Sequence, residues 1–417
     1  MSKFLIKGGS VLKGEYAVKA AKNAVLPMIA ASLLTSERCE ILNVPDITDV
    51  KNMLRIVQSL GAKASIEEGA ITIEASDLFG FSVPCDLAKE LRSSVFLLGP
   101  ILARLGKAAV AYPGGCDIGV RPLDIHIKGL REMGIAVEES HGMIYCDAAR
   151  MKGADVMLDF PSVGATENLM MVASSAKGVT RIRNAAKEPE IVDLQNFINA
   201  MGGKVRGAGG GTITIEGVKK LHGTTYTPIP DRIVAGTLLI AGAACGGEIG
   251  LSNCQPEQIE PLLFKLNKSS CFICVRGDKI TMRGFSRPRI FDKLETQPYP
   301  GFPTDLQSQA MALMAVSEGT GVIVENIFET RFRIVRELIK MGALITVQDR
   351  TAIIRGVKTL EGAAVSAGDL RGGAALVIAG IAAEGYTTID NAFHIDRGYE
   401  RLDEIMNELG ADVKRIQ

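Results

Sequence analysis

The chain has 417 residues, of which 47% are hydrophobic and 23% are charged, as in an ordinary globular protein. Lysine plus arginine and aspartate plus glutamate each number 47, and the resulting formal net charge of zero argues against a nucleic-acid or membrane surface. This length exceeds the size at which a single hydrophobic core stops growing, which predicts at least two domains.

The N-terminal sequence MSKFLIKGG lacks the apolar core of a signal peptide. It therefore predicts a cytoplasmic location, where the eight cysteines would stay reduced. Apolar runs such as 235–245 are too short to span a membrane. Cys271 and Cys274 form a CxxC motif, but no second pair or nearby histidine accompanies them, so a buried strand is favoured over a metal site. No metal site is predicted.

An internal repeat is the strongest architectural signal in the chain. An amphipathic helical segment ends in a hydrophobic residue followed by glycine at Leu60-Gly61, Met133-Gly134, Met201-Gly202, Met341-Gly342 and Leu409-Gly410. In a sixth copy, Leu266-Asn267 is interpreted as the equivalent step without its glycine. An alternating, strand-like segment follows each step, and in the first five copies a short polar turn leads to a second strand.

Each copy also contains a more uniformly apolar segment, such as NLMMVASSA or AALVIAGIAA, which indicates a helix buried on all sides. The repeating unit is therefore predicted to be β-α-β-α-β-β, and six copies predict an α/β fold of two three-unit domains with helices inside and sheets outside. The seam is predicted near 227–230, and the N-terminal strand FLIKGG is predicted to complete the C-terminal domain. In such a chain the cleft between domains is the natural ligand site.

Polar residues recur where the buried helices are predicted to begin. Lys22 and Asn23 open the first helix, where a lysine near free backbone N–H groups is a plausible phosphate contact and a solvated lysine is the alternative. Ser162, Val163 and Gly164 open the third, where Ser162 could equally be a simple N-cap.

Further charged residues occupy comparable boundaries along the chain. Arg92 opens the second buried helix, and Asp305 opens the fifth, where an N-cap is the alternative interpretation. Arg331, Arg371 and Arg397 lie at similar boundaries in the C-terminal half. The recurring pattern predicts that helix macrodipoles and cations converge on anions.

The segment YPGGCDIGVRPLDIH, residues 112–126, places a cysteine in a tight turn. Cys116 follows Pro-Gly-Gly, Asp117 comes directly after it, and Arg121 lies five residues after Cys116. A thiol held on a surface turn near a cation is in an environment that favours thiolate chemistry. The alternative is that Cys116 is a small residue filling a loop.

The ordered motifs KNAVLPMIAA, LRSSVFLLGP, PGGCDIGVRPLDIH, SVGATEN, KEPEIVDL, PDRIVAGT, FPTDLQSQA and HIDRGYERL resemble those of the UDP-N-acetylglucosamine 1-carboxyvinyltransferase family. The resemblance runs from Lys3 to the C-terminus and implies the inside-out α/β barrel fold of enolpyruvyl transferases, with domains at 22–229 and at 1–21 plus 230–417. It implies transfer of the enolpyruvyl group of phosphoenolpyruvate to the 3′-hydroxyl of UDP-N-acetylglucosamine, the first committed step of peptidoglycan precursor synthesis. It implies no cofactor, nucleic acid, membrane or obligate protein partner.

The resemblance also implies roles for individual residues. Cys116 would protonate C3 of phosphoenolpyruvate, form a covalent adduct with it and be the target of fosfomycin, while Asp305 would accept the proton of the 3′-hydroxyl or orient that group. Lys22, Arg121 and Arg397 would clamp the phosphate and carboxylate of phosphoenolpyruvate. The residues implied to hold the sugar nucleotide are Asn23, Arg92, Arg121, Pro122, Leu123, Asp124, Ile125, Ser162, Val163, Gly164 and Ile327, with Arg331 and Arg371 as further cleft groups.

One departure and two alternatives remain at the level of sequence. This chain has Phe160-Pro161 where some family members carry a lysine near the uridine, which leaves the nucleobase contacts open. A relative of the same fold that acts on shikimate 3-phosphate lacks the cysteine loop, so PGGCDIG and SVGATEN argue against that substrate. A silent paralogue that only binds a sugar nucleotide would be expected to lose Cys116, Asp305 or the cations, and all are present.

Overall fold

A computed structural model describes residues 2–112, 123–284 and 287–416. The strands are β1 (Lys3–Lys7), β2 (Lys13–Ala17), β3 (Cys39–Ile41), β4 (Lys63–Glu67), β5 (Ala70–Glu74), β6 (Lys107–Ala111), β7 (Ala136–Ser140), β8 (Met143–Asp147), β9 (Asp155–Met157), β10 (Val179–Arg183), β11 (Lys204–Arg206), β12 (Thr212–Glu216), β13 (Thr225–Tyr226), β14 (Glu248–Ser252), β15 (Phe272–Arg276), β16 (Lys279–Arg283), β17 (Lys293–Glu295), β18 (Thr320–Val324), β19 (Leu344–Gln348), β20 (Thr351–Arg355), β21 (Ala364–Ser366), β22 (Tyr386–Asp390) and β23 (Asp412–Ile416).

The α-helices are α1 (Lys22–Ala31), α2 (Thr48–Ser59), α3 (Cys85–Glu90), α4 (Leu98–Leu105), α5 (Asp124–Glu132), α6 (Val163–Ala173), α7 (Pro189–Ala200), α8 (Arg232–Ala244), α9 (Glu260–Lys268), α10 (Gln307–Val316), α11 (Val335–Lys340), α12 (Leu370–Ala382) and α13 (Leu402–Glu408). Short 3-10 helices cover Ser32–Leu34, Arg92–Leu97, Pro256–Ile259, Thr304–Leu306, Arg331–Ile334 and Ala392–Arg397. By its internal contacts the chain divides into an N-terminal unit, with the described residues 20–112 and 123–229, and a C-terminal unit, with 2–19, 230–284 and 287–416.

The N-terminal unit shows the repeat most clearly around α6. Strand β9 leads through α6 to β10, which pairs parallel to β9, and α7 then leads to the hairpin of β11 and β12, which joins the same sheet. The other sheets of this unit have the orders β13-β3-β5-β4 and β6-β8-β7. The predicted β-α-β-α-β-β unit is therefore confirmed, except that in the sheet β6-β8-β7 the first strand is reduced to a parallel bridge between Ser82 and Ala109.

The C-terminal unit repeats this arrangement and takes strands from the N-terminus. Its sheets have the orders β15-β16-β14-β2, β17-β18-β20-β19 and β21-β22-β1-β23. Strand β1 pairs antiparallel with both β22 and β23, and β2 pairs parallel with β14. The prediction that the N-terminal strand joins the C-terminal half is confirmed.

The uniformly apolar segments form buried helices, as predicted. In α10 every residue from Gln307 to Val316 is buried, and in α12 only the last residue is not. Amphipathic helices such as α2 bury one face and expose the other. Burial on all sides follows from composition, because a helix without a polar face has no side to present to water.

The interpretation of Leu266-Asn267 as the sixth helix stop is wrong. Helix α9 continues to Lys268 and ends at Ser269, and the next residue, Ser270, has a φ of 69°. In the other copies this left-handed position is occupied by glycine, for example Gly342 with a φ of 88°. The helix thus ends at Ser269-Ser270. Ser270 is strained in this left-handed conformation because it has a Cβ, which glycine lacks.

The buried-strand prediction for the CxxC motif is only half correct. Cys271 is buried, but β15 is an edge strand whose Phe272 and Val275 are 60% and 47% exposed. Within the described residues no group of three or more His, Cys, Asp or Glu side chains could hold a metal ion. The helices in those ranges are too short or too polar to cross a bilayer.

Replacing Ser270 by glycine should stabilise the C-terminal unit. The gain should be roughly 0.5–1 kcal/mol, because relief of left-handed strain exceeds the added entropy of the unfolded glycine. Urea unfolding measures the change, and Gly342→Ser is the matched reverse variant, since a Cβ at Gly342 meets no atom within 4 Å. An unchanged or lowered midpoint for Ser270→Gly would show that Ser270 is not strained.

Candidate active-site residues

The C-terminal unit holds Asp305 between two arginines. Asp305 lies in the 3-10 helix Thr304–Leu306, directly before α10. Its Oδ1 accepts a hydrogen bond from Arg331 Nη2 at 2.5 Å, and its Oδ2 accepts one from Arg371 Nη2 at 3.1 Å. Each carboxylate oxygen is therefore paired with a different guanidinium, which fixes the plane of the carboxylate.

Both arginines are almost completely buried. The side chains of Arg331 and Arg371 are 1% and 3% exposed, whereas that of Asp305 is 26% exposed. Although burial alone lowers the pKa of Arg371, the negative charge of Asp305 outweighs it and the pKa is raised. Arg371 Nε and Nη1 are buried and have no hydrogen-bond partner in the described part of the chain. Unpaired buried donors of this kind are costly, and an anionic ligand would satisfy them.

The alternative reading of Asp305 as an N-cap does not hold. The residue before the 3-10 helix is Pro303, the residue before α10 is Leu306, and neither end has a side-chain capping bond. Asp369 is the acid that caps a helix here, because its Oδ1 accepts from the backbone N–H groups of Arg371 and Gly372. The Asp305 carboxylate instead accepts hydrogen bonds from Arg331 and Arg371.

A buried glutamate ties Ile327 to the Asp305 turn. Glu325 Oε1 accepts from Thr296 Oγ1 at 2.8 Å and from the backbone N–H groups of Ile327 and Phe328, while Oε2 accepts from Thr304 Oγ1 at 3.0 Å. Glu325 is 1% exposed. One carboxylate thus positions both the residue before Asp305 and the segment that contains Ile327.

Arg397 ends the 3-10 helix Ala392–Arg397 and is half-buried. The preceding residue, Asp396, accepts two hydrogen bonds from Arg415 at 2.8 Å. Burial, and secondly the charge of Arg397, lowers the pKa of His394. The 3-10 helix that carries Arg397 is therefore anchored to strand β23.

In the N-terminal unit, Lys22 opens α1 and forms a salt bridge. Its Nζ lies 3.0 Å from Oδ2 of Asp49, which is buried in the first turn of α2. The Lys22 side chain is 12% exposed, so it is not a freely solvated lysine. The neighbouring Asn23 is half-buried at the same helix start.

The start of α6 lies against a buried histidine. Ser162 is the N-cap of α6 and accepts from the Ala165 backbone N–H at 3.3 Å, so its capping alternative is correct as local structure. Gly164 packs so closely that a Cβ would lie 3.4 Å from Nε2 of His126. Burial, and secondly the charge of Arg92, lowers the pKa of His126 to about 4. The ring is neutral near pH 7.

A buried acid follows one turn further into α6. Glu167 is 1% exposed, and its Oε2 has no partner among the described residues. Burial, together with the charges of Glu190 and Glu188, raises the pKa of Glu167 well above its usual value. The start of α6 thus has a serine cap, a neutral histidine and a carboxyl group biased toward its neutral form.

The remaining predicted residues fall in or beside a segment that the structure does not describe. Leu123 is buried before α5, Asp124 is exposed at its first position, and Ile125 is half-buried. The predictions for Cys116, Arg121 and Pro122 lie outside the described residues. Val163 is half-buried at the first position of α6, and Arg92 is half-buried at the start of its 3-10 helix.

Two positioning acids were missed by sequence reasoning. Asp49 pairs with a lysine 27 positions earlier, and Glu325 bonds to a threonine 21 positions earlier. The only local signals are an acid in the first turn of α2 and an acid directly after the apolar strand β18. Neither signal distinguishes these residues from ordinary helix starts or strand ends.

Replacing Glu167 by glutamine should become more stabilising as the pH rises. The unfolded glutamate ionises above its usual pKa, whereas burial raises the pKa of the folded one and delays its ionisation, so the wild type loses up to about 1.4 kcal/mol per pH unit that the glutamine variant keeps. Urea unfolding of both proteins from about pH 5.5 to about pH 7.5 measures the difference.

The exposed Glu216 is the control for this experiment, because its hydrogen bond to Lys204 lowers its pKa and keeps it ionised throughout that range. Glu216→Gln should change stability by the same amount at every pH. A pH-independent difference for Glu167→Gln would mean that Glu167 is ionised in the folded protein.

The family model described as EPSP synthase (3-phosphoshikimate 1-carboxyvinyltransferase) matches residues 6–406. UDP-N-acetylglucosamine 1-carboxyvinyltransferase 2 of Caldanaerobacter subterraneus subsp. tengcongensis is 50% identical over 416 residues, covering 100% of both chains. UDP-N-acetylglucosamine 1-carboxyvinyltransferase 1 of Carboxydothermus hydrogenoformans is 49% identical, covering 100% of this chain and 99% of the relative.

A solved structure supplies the comparison of folds. The enolpyruvyl transferase NikO from Streptomyces tendae matches with a TM-score of 0.88 and 24% identity, covering 99% of this chain and 98% of that one. The predicted α/β fold, the inside-out barrel of enolpyruvyl transferase type, is confirmed.

Proposed function

The chain belongs to the UDP-N-acetylglucosamine 1-carboxyvinyltransferase family of enolpyruvyl transferases, and on that premise we propose that it transfers the enolpyruvyl group of phosphoenolpyruvate to the 3′-hydroxyl of UDP-N-acetylglucosamine. Phosphate is the second product. The observation that carries the proposal is the Asp305 carboxylate held by Arg331 and Arg371, with two Arg371 nitrogens left for an anion.

The reaction requires an acid, a base and groups that hold anions. The 3′-oxygen forms a bond to C2 of phosphoenolpyruvate while C3 gains a proton, which gives a tetrahedral intermediate. C3 then loses a proton as the C2–O bond to phosphate breaks, and the double bond re-forms in the product. Positioned acids and bases, with fixed cations around the phosphate and carboxylate, lower the barriers of both steps.

The proposed roles follow from the chemistry of each group. Asp305 accepts the proton of the 3′-hydroxyl or orients that group, and Cys116 supplies the proton to C3 and forms the covalent adduct. Lys22, Arg121 and Arg397 hold the phosphate and carboxylate of phosphoenolpyruvate. The salt bridge from Asp49 supports this role for Lys22, because it holds the ammonium group at the start of α1.

The sugar nucleotide is proposed to lie near the starts of α5 and α6. Backbone N–H groups at a helix start attract the diphosphate, and the neutral ring of His126 avoids placing a second charge beside Arg92. The proposed contacts are Asn23, Arg92, Arg121, Pro122, Leu123, Asp124, Ile125, Ser162, Val163, Gly164, Asp305 and Ile327, with Arg331 and Arg371 behind Asp305.

We propose the same two-domain division as the family: 22–229 carries Cys116, and 1–21 with 230–417 carries Asp305. The proposed location is the cytoplasm, in the first committed step of peptidoglycan precursor synthesis. The seven described cysteines are all free thiols, which supports a reducing location. The proposed partners are the two substrates alone, without nucleic acid or membrane.

Phosphate release from phosphoenolpyruvate tests the acceptor and the thiol together. With wild-type protein, release is expected with UDP-N-acetylglucosamine and not with shikimate 3-phosphate, because the motifs around Cys116 and Ser162 match the nucleotide enzymes. Cys116→Ser should lose most of this activity, since a serine hydroxyl is a far weaker acid than a thiol. Mass spectrometry should find the fosfomycin adduct on Cys116.

Cys85→Ser is the matched control, because Cys85 is an exposed cysteine at the start of α3 and should be dispensable. Release with shikimate 3-phosphate alone would replace the proposed acceptor. Activity that survives Cys116→Ser would remove the thiol from the mechanism, and nucleotide binding without release would indicate a silent paralogue.

A further inference from the structure

A fully buried tyrosine lies beneath one of the two arginines that hold Asp305. Tyr399 follows the 3-10 helix Ala392–Arg397 and is 1% exposed. The guanidinium carbon of Arg371 lies over the Tyr399 ring, 5.4 Å from its centroid. A cation over the face of an aromatic ring is attracted to the negative face, and the attraction is strongest where water is excluded.

The ring itself is held by a directed chain of hydrogen bonds. Thr237 Oγ1 donates to the Ile233 carbonyl at 2.7 Å, so it accepts from the Tyr399 hydroxyl at 2.8 Å. The hydroxyl in turn accepts from Gln309 Nε2 at 3.1 Å. Tyr399, Thr237 and Gln309 are all buried, so this chain fixes the ring against α8 and α10.

The same network reaches the Asp305 turn. Gln309 Nε2 also donates to the Asp305 backbone carbonyl at 2.9 Å. Arg371, which packs on the ring, donates from Nη2 to the Asp305 carboxylate. Tyr399 is therefore linked to Asp305 in two ways, through Gln309 to the Asp305 backbone and through Arg371 to its carboxylate.

The packing leaves two nitrogens of the Arg371 guanidinium group without a hydrogen-bond partner in the described chain. Arg371 Nη2 donates a hydrogen bond to Asp305, and the Tyr399 ring covers one face of the guanidinium group. Nε and Nη1 have no partner in the described chain. Nε–H points away from Nη1, so these two nitrogens do not form one bidentate fork, and Nη1 is the terminal donor that remains for a carboxylate or phosphate. Free rotation of the guanidinium would destroy this arrangement.

We propose that Tyr399 is a positioning residue that holds the Arg371 guanidinium flat, so that the unpartnered Nη1 is presented to the anionic group of phosphoenolpyruvate. This role rests on the proposed function, because it identifies the substrate anion that Arg371 serves. Tyr399 does not touch the substrate, and the Thr237–Tyr399–Gln309 chain is what keeps its ring in place.

Two substitutions at position 399 separate the ring from the hydroxyl. Tyr399→Phe keeps the ring and should leave the KM for phosphoenolpyruvate within about twofold of wild type, at a lower melting temperature. Tyr399→Met fills the space without a ring and should raise that KM roughly tenfold, with a much smaller change in the KM for UDP-N-acetylglucosamine. Tyr226→Phe is the control, because it removes a half-buried hydroxyl that donates to Asp193 in the N-terminal unit.

A pentafluorophenylalanine at position 399 makes the test independent of packing. It keeps nearly the shape of phenylalanine but removes the negative face of the ring, so phosphoenolpyruvate should bind several-fold more weakly than to Tyr399→Phe. Calorimetric titration of phosphoenolpyruvate measures this binding without the transfer reaction, which also covers the case in which Tyr399→Met does not fold.

The outcomes separate the two proposals. Wild-type protein that releases no phosphate contradicts the proposed function, while the calorimetric comparison still tests Tyr399. Equal affinity of the phenylalanine and pentafluorophenylalanine proteins, or an unchanged KM for Tyr399→Met, would overturn the positioning role. Equal losses for both substrates would show that Tyr399 is only structural.

Discussion

The C-terminal unit depends on the pairing of one carboxylate with two buried guanidinium groups. Arg331 and Arg371 could not remain buried and charged without an anion, and Asp305 supplies one oxygen to each. The two arginines in turn fix the plane of the Asp305 carboxylate, while about a quarter of its side chain stays exposed. The carboxylate is thereby held at a defined orientation and stays partly exposed, which the proposed role of Asp305 toward the 3′-hydroxyl requires.

The repeated unit explains why polar residues recur at the starts of buried helices in both units. Each copy contains a largely buried helix, and the first backbone N–H groups of a helix have no partner within that helix. Asp305 lies just before α10 and Arg371 lies at the second position of α12, while Lys22 and Ser162 lie at the starts of α1 and α6. The supporting acids Asp49, Glu325 and Asp369 each fix one of these starts or a segment beside it. A fold built from one unit can therefore carry different chemistry in each copy.

Residue pattern alone predicted the features that arise from local physics. The six buried helices, the repeating unit and the pairing of the N-terminal strand follow from periodicity and apolar composition. Two local interpretations failed for identifiable reasons: Ser270 occupies a left-handed position that normally calls for glycine, and the apolar strand β15 lies at an exposed edge. The partners of Asp305 lie 26 and 66 positions away, and no local pattern encodes such pairings. Motif resemblance supplied candidate residues, whereas the bonds among Asp305, Arg371 and Tyr399 come only from the three-dimensional packing.

The most direct test of this account is the effect of Asp305→Asn on transfer to UDP-N-acetylglucosamine. Asparagine keeps the shape of the side chain but cannot accept a proton or balance two guanidinium charges. The account predicts that kcat falls at least ~100-fold while the affinity for UDP-N-acetylglucosamine changes only a few-fold. An undiminished kcat would contradict the assignment of Asp305 to the reaction, and a loss of affinity that accounts for the whole effect would reduce Asp305 to a binding residue.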